Sequence, residues 1–332
     1  MKFFFIIDYK KNSGIGHLKR SLLVAKELYK LNHEIYFLCY KNYFRTNKNI
    51  KFKYIKLNEK NLKKNLNIIK KKIISKSPDF IIFDTYEIDQ KIISNISTTK
   101  KKIMIIHDYK FFKKNVDIYL NYNFSKIQTT RSLLLGPKFA LVEKKIKLIR
   151  NYKKNIKNIL LFFGGSDSQN LNLKFLKIFQ SKIFQKFKFN FIISPNIENR
   201  KKIINNFGLK QFKKIKFDNN FHKNLYKSDL YIGTGGSSLM DVIISGTPAI
   251  FFPINKNQKN NCINIQKQKK IIVENVQKLQ KTQLMRKKLI NYFNDYKSMK
   301  KIARLNLNLF DGLGAKRVAD HILRNERTKI KN

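Results

Sequence analysis

Asn12-Ser13-Gly14-Ile15-Gly16-His17-Leu18-Lys19-Arg20 follows a short apolar run, Phe3 to Ile7, and opens a segment in which Leu18, Leu22, Ala25 and Leu28 recur at helical spacing. The apolar run is continuous rather than alternating, as a strand covered on both faces requires. The stretch therefore reads as strand, tight turn, helix. Gly14 and Gly16 carry no Cβ, so the backbone can turn sharply and a ligand can approach closely. His17 then stands in the first helical turn, where unpaired N–H groups and positive partial charge favour anions and disfavour an imidazolium ion. That leaves the neutral imidazole, the form a general base needs. A histidine that merely caps or packs is equally open on this stretch alone.

The same grammar recurs along the chain. Glu34 to Tyr40 reads as a second buried strand and Ile50 to Leu57 as a third, followed by a Lys-rich helix from Leu62 to Ser75. Pro78 to Phe83 leads into Asp84-Thr85-Tyr86 at a strand end, and Ile103 to Ile106 followed by His107-Asp108 repeats the arrangement. Ligands of open α/β sheets gather at such carboxyl ends, which makes Asp84 and Tyr86 candidates to face the same crevice as His17. Asp117 to Leu120 reads as a short edge strand, and Leu133 to Ala140 closes the first half. A polar, Lys-rich passage, 143–157, marks a linker.

Beyond it the pattern restarts. Ile159 to Phe163 is a strand, Gly164-Gly165-Ser166-Asp167 a turn, and a helix runs from Asn170. Later strands at Phe189 to Ile193, Lys214 to Phe217 and Asp229 to Ile232 lead into Gly233-Thr234-Gly235-Gly236-Ser237-Ser238-Leu239-Met240-Asp241. Ser237 or Ser238 is expected to cap the next helix, whose free N–H groups can seat a diphosphate. Thr247 to Pro253 is the following strand, with Asn257-Gln258 after it. Of 12 glycines, nine fall in four turns (14 and 16; 164 and 165; 233, 235 and 236; 312 and 314), so glycine stands where backbone geometry or close approach asks for it. The expected organisation is an α/β domain over 1–142, the linker 143–157, a second α/β domain over 158–308, and a closing helix over 309–332 that returns towards the first domain.

Composition narrows the classes. A chain of 332 residues with 42% apolar content can fill two cores. No apolar run approaches the ~20 residues that span a bilayer, so membrane insertion is not expected and the cytoplasm is the default. Cys39 and Cys262 are too few for a disulfide framework and lack a metal-ligand spacing with His; both read as core thiols. The formal charge of +50 invites a nucleic-acid reading. The excess is scattered Lys accompanied by Asn, Ile, Phe and Tyr without Trp, the drift of an adenine- and thymine-rich genome, and no nucleic-acid partner is expected.

A dinucleotide fingerprint fails at two points: the first turn lacks its third glycine, and the second strand ends in Cys39-Tyr40-Lys41 without an acid for a ribose hydroxyl. A nucleophile elbow, a P-loop Lys-Ser/Thr and a zinc-type His-Glu cluster are missing from the sequence as well. No cofactor and no metal are indicated.

Seven ordered motifs remain: Gly14-Ile15-Gly16-His17-Leu18-Lys19-Arg20, Asp84-Thr85-Tyr86, Leu135-Gly136-Pro137-Lys138-Phe139-Ala140-Leu141, Phe163-Gly164-Gly165-Ser166-Asp167, Gly235-Gly236-Ser237-Ser238, Asn257-Gln258 and Asp311-Gly312-Leu313-Gly314-Ala315. Together they resemble the PseG family, the UDP-2,4-diacetamido-2,4,6-trideoxy-β-L-altropyranose hydrolases of pseudaminic acid biosynthesis, over residues 3 to 322. That family is MurG-like. The resemblance implies a GT-B architecture, two Rossmann-like domains with parallel sheets facing each other across a cleft, with UDP on the C-terminal one. A monomer is expected, though the sequence itself does not state the oligomeric state.

Carried over by the resemblance, His17 activates water for attack at the anomeric carbon, with inversion and loss of UDP. Ser237, Ser238 and Leu239 offer N–H groups to the phosphates, and Asp241 takes the place of a Glu that meets a ribose hydroxyl. Asn257 and Gln258 contact sugar or phosphates, and Tyr86 stands near the sugar. From their own positions, Asp84 at its strand end and Gly14, Gly16, Gly164 and Gly165 in their turns are further substrate-binding candidates. Thr85 departs from the family's usual Asp-His-Tyr. His33, His107, His222 and His321 have no comparable setting. Two other classes stay open: a glycosyltransferase using a UDP-sugar donor on the same fold, and a non-catalytic basic nucleic-acid-binding protein.

Overall fold

The computed structural model describes residues 1–7, 16–40, 52–58, 61–108, 111–112, 114–122, 130, 132–143, 150–195, 197–216, 221–268 and 271–327. The chain divides into two compact units, Met1–Val142 with Leu313–Asn332, and Glu143–Gly312. Each is built on a parallel sheet with helices on both faces.

In the first unit, β1 (Lys2–Ile7), α1 (Gly16–Lys30), β2 (Glu34–Cys39), β3 (Lys53–Lys56), α2 (Leu66–Lys76), β4 (Phe80–Asp84), α3 (Gln90–Ser97), β5 (Lys102–Ile106), β6 (Ile118–Asn121) and β7 (Leu133–Leu135) follow in order. The sheet order is β3-β2-β1-β4-β5-β6-β7. β1 is central because it has no polar residue after Lys2 and can be covered on both sides. Phe3 and Phe5 enter the core under α1, while Phe4 and Ile6 enter the opposite core with Ile69, Ile73, Ile92 and Ile96 of α2 and α3. Phe5 stacks on Phe37 across the strand pair, with ring centroids 5.0 Å apart. Burial of each such side chain contributes roughly 1.5–3 kcal/mol. β6 is not the edge strand expected from its length. It pairs with β5, where Asp117 also accepts from Ile103 N at 2.8 Å, and with β7 on its other side, so the edge falls to the three-residue β7.

The unit is closed by α11 (Gly314–Arg327), whose Ala315, Val318, Ala319 and Ile322 fill the core under α1. A Cβ on Gly314 would lie 2.2 Å from the Ala140 carbonyl oxygen, so only glycine lets the helix start this close to the turn at 137–140.

The second unit contains β8 (Asn158–Phe162), α4 (Leu171–Phe179), β9 (Lys188–Ile193), α5 (Arg200–Asn205), β10 (Phe212–Lys216), α6 (Phe221–Tyr226), β11 (Leu230–Gly233), α7 (Ser238–Ile244), β12 (Ala249–Phe251), α8 (Lys256–Gln268), β13 (Ile272–Val273), α9 (Thr282–Asn294) and α10 (Tyr296–Asn306). Its sheet order is β10-β9-β8-β11-β12-β13. From Arg150 onward the segment expected as a linker is fastened to this unit. Arg150 Nη1 donates to Thr247 Oγ1 at 2.8 Å, and the Tyr152 hydroxyl donates to the Gly246 carbonyl at 2.8 Å.

Candidate functional site

His17 is the second residue of α1, so Arg20 and Ser21 lie one turn further along the same face. The register of β1 with β4 places Asp84 opposite Ile7, at the carboxyl end of the strand from which the chain proceeds towards α1. Asp108 follows β5 and Tyr122 follows β6, at the same end of the sheet. The parallel strand order thus brings these side chains to one end of the sheet, where ligands of open α/β folds bind.

The contacts are dense. His17 Nδ1 lies 2.6 Å from Asp84 Oδ1. Arg20 Nε donates to both Asp84 oxygens at 2.9 Å, and Ser21 Oγ donates to Asp84 Oδ2 at 2.8 Å. Arg20 Nη1 reaches Asp108 Oδ1 at 2.7 Å and the Tyr122 hydroxyl at 3.2 Å. The Tyr86 hydroxyl donates to Asp108 Oδ2 in a short hydrogen bond, and the Tyr86 ring meets the imidazole edge-on with centroids 4.5 Å apart. His107 is fully buried and packs its ring on Tyr86 at 5.4 Å.

Electrostatics settles the tautomer of His17. Asp84 is 0% exposed. Burial alone would push its carboxyl up, but the Arg20 guanidinium and His17 outweigh that and hold it at about 2. An ionised carboxylate 2.6 Å away calls for a hydrogen on Nδ1, which donates to it. Arg20 Nη2, 3.2 Å from Nδ1, is then a close neighbour rather than a donor to it. Burial works against the charge of Arg20, yet Asp108 and Asp84 hold its proton more firmly than in water. Asp108 is likewise pushed up by burial and brought below its ordinary value by Arg20 and the Tyr86 hydroxyl. Burial and the adjacent Asp108 raise Tyr86, which stays a donor.

The residues expected to touch substrate divide accordingly. Asp84 has no exposed surface, and among the described residues its side chain bonds to His17, Arg20 and Ser21. Tyr86 is half-buried beside His17. Gly16 opens α1, and Gly14 lies outside the described residues.

In the second unit, Gly164 adopts φ +86° and, with Gly165, forms the half-buried turn after β8. Asp167 from that motif is a helix clamp, accepting from Leu171 N at 2.7 Å and from Asn172 N at 3.0 Å. A Cβ on Gly235 would lie 2.3 Å from Cys262 Sγ and 3.1 Å from the Gln258 carbonyl oxygen. That glycine is thus demanded by the close approach of α8. Gln258 and Asn257, in the first turn of α8, are half-buried, and the Gln258 side chain lies against Gly236 and accepts from Ile254 N at 3.0 Å.

Neither Ser237 nor Ser238 caps α7 with its side chain. Ser237 is exposed with helical backbone angles, whereas Ser238 Oγ is turned inward to the Tyr231 hydroxyl at 3.1 Å. The Leu239 N–H, expected to face phosphate, donates to the Gly236 carbonyl at 3.0 Å because the turn folds back on itself. Asp241 is 3% exposed, with Oδ1 3.5 Å from His222 Nε2, whose other ring nitrogen is 3.7 Å from Glu143 Oε2.

Sequence reasoning missed Arg20, Ser21, Asp108, Tyr122 and the setting of His222. The i+3 and i+4 spacing from His17 and the recurrence of Asp at a strand end were the available signals. Among the described residues, no group of three or more His, Cys, Asp or Glu could hold a metal ion, and no helix is long and apolar enough to cross a membrane.

Residues 159–310 match the model of the glycosyltransferase family 28 C-terminal domain. An uncharacterised protein of Methanocaldococcus jannaschii is 29% identical over a match covering 78% of this chain and 57% of that protein, so the chain spans little more than half its length. Among solved structures, Acinetobacter baumannii MurG is similar with a TM-score of 0.68 at 12% identity, covering 98% of this chain and 100% of that one. S. aureus MnaA, in a structure with UDP, is similar with a TM-score of 0.68 at 15% identity, covering 97% and 95%. The UDP-GlcNAc 2-epimerase of Neisseria meningitidis, bound to UDP-GlcNAc, gives a TM-score of 0.64 at 12% identity over 98% and 100%. The chain has the GT-B-like fold, two parallel-sheet α/β units, that these neighbours share.

Proposed function

We propose that the protein is a nucleotide-sugar hydrolase that releases UDP from UDP-2,4-diacetamido-2,4,6-trideoxy-β-L-altropyranose, with inversion, in pseudaminic acid biosynthesis. The observation that carries the reading is the 2.6 Å contact of His17 Nδ1 with the buried, ionised Asp84. It leaves Nε2 of a neutral imidazole to take a proton from water as the water oxygen bonds to the anomeric carbon. The anomeric C–O bond breaks with its electron pair leaving on UDP. The family 28 match and the uridine nucleotides in the S. aureus and N. meningitidis structures support a UDP-sugar.

In this reading the second unit seats the diphosphate on the amides of the 235–238 turn, with Gln258 and Asn257 beside it. Asp241, together with His222, serves the ribose. UDP is a good leaving group, so one oriented base and a neutralised diphosphate suffice without a metal, and EDTA leaves the rate unchanged. Incubating the purified protein with the altrose-configured UDP-sugar and no acceptor releases UDP and free sugar. UDP release only on adding an acceptor hydroxyl overturns the hydrolase in favour of a glycosyltransferase, the second reading, which the description of the matched family supports.

A further inference from the structure

β11 lies inside the second sheet, between β8 and β12, and Tyr231 is its one residue with a polar side chain. The phenol is fully buried, so its hydroxyl needs partners within the protein. It donates to the Phe162 carbonyl at 3.1 Å and lies 3.1 Å from Ser238 Oγ. A phenol has one hydrogen, and burial raises its pKa so that it keeps it. That hydrogen is spent on the carbonyl, so in the second bond Ser238 Oγ donates and the phenol accepts. The sequence reserves a path for this side chain. A Cβ on Gly233 would lie 2.2 Å from the phenol oxygen and 2.5 Å from the Phe162 carbonyl oxygen. The φ of Gly233 lies outside the left-handed region, so the passing phenol, not a turn, demands glycine there.

We propose that Tyr231 is a positioning residue for the nucleotide: its phenol ties the first residue of α7 to the end of β8 and so sets the backbone of the turn 234–238. The Ser238 hydroxyl serves this tie and not the ligand. An ionised diphosphate offers only acceptors, and the Ser238 side chain has already given its one hydrogen to Tyr231. Filling the core would not need the hydroxyl at all. Phe221 meets the Tyr231 ring edge-on at 6.3 Å and Phe251 lies 6.1 Å from it, contacts that a phenylalanine keeps. The inference deepens the UDP-sugar reading and rests on it for the ligand; the tie between β8 and α7 does not.

The test is a double-mutant cycle in full-length protein, read by calorimetry with UDP. Tyr231→Phe and Ser238→Ala each weaken UDP binding about five- to tenfold, the size of one lost hydrogen bond, and the double variant binds no more weakly than either single one. With the UDP-sugar, KM of Tyr231→Phe rises by the same factor while kcat stays within twofold. In the ligand-free protein the amides of 236–239 exchange faster in both variants and those of β9 do not. Wild-type UDP affinity in folded Tyr231→Phe overturns the proposal, even where the urea midpoint falls, because the phenol is then a core residue only. Losses that add in the double variant overturn it as well, since Ser238 Oγ then meets the diphosphate by itself. If Tyr231→Phe does not fold, Ser238→Ala decides by exchange: faster amides at 236–239 without ligand support the tie, and unchanged ones overturn it. A wild type that binds no UDP, with those amides still faster in both variants, removes the nucleotide seat and leaves the tie.

Discussion

In the proposed reaction, replacing His17 by Ala removes the proton acceptor and none of the residues that seat UDP. Turnover is expected to fall ~100-fold or more while UDP affinity, measured by calorimetry, stays within a few-fold. Parallel loss of binding and turnover would make the residue structural. Asp84 carries a separate expectation for stability. Its carboxyl titrates near 3.8 in the unfolded chain and at about 2 in the fold, so unfolding takes up a proton between those values. The resulting stabilisation, on the order of 2 kcal/mol, is complete above about pH 5 and is lost as pH falls through 3.8 towards 2. Urea midpoints at pH 5 and pH 2.5 are expected to differ more in the wild type than in Asp84→Asn, which has no carboxyl to titrate. The placement of His17 was legible from a glycine turn meeting a helical period. The role of Asp84 was not: strand-end aspartates are also helix caps, and only the β1–β4 register and full burial separate the two.

Among elements, the strands buried on both faces were legible because nothing but an uninterrupted apolar run satisfies that position, as Phe3 to Ile7 and Phe80 to Phe83 do. β13, two residues long, was not, since Ile272–Val273 gains its strand character only by pairing with β12. The place of β6 was misjudged for a related reason: length says nothing about how many neighbours a strand has. The Asp311 to Ala315 motif, quoted for its place in a family pattern, turns out to be a packing device at Gly314. Gly314→Ala would drive a methyl group to 2.2 Å from the Ala140 carbonyl oxygen, so α11 must shift off the core it fills. A loss of about 1–3 kcal/mol in urea unfolding is expected, with faster amide exchange along α11 than along β9. Unchanged stability would show that the turn at 137–140 gives way freely.

On the scale of the whole molecule, the first unit is discontinuous in sequence and the second is inserted between its parts. A ligand held by the second unit stabilises by mass action, about 2.7 kcal/mol at a hundredfold excess over its dissociation constant. UDP is therefore expected to slow amide exchange most in β11, α7 and the start of α8, and least in β2 and β3. Equal slowing in both sheets, or slowing confined to the first unit, would remove the nucleotide seat from the 235–238 turn. What the chain determined by itself is two rounds of strand, glycine turn and helix, since buried strands and amphipathic helices write their periods into neighbouring residues. Tertiary structure alone decided which side chains form the cluster at His17. Arg20 finds Asp84 across 64 residues and Asp108 across 88, and separations of that size are closed by strand order and register, which leave no local trace in the sequence.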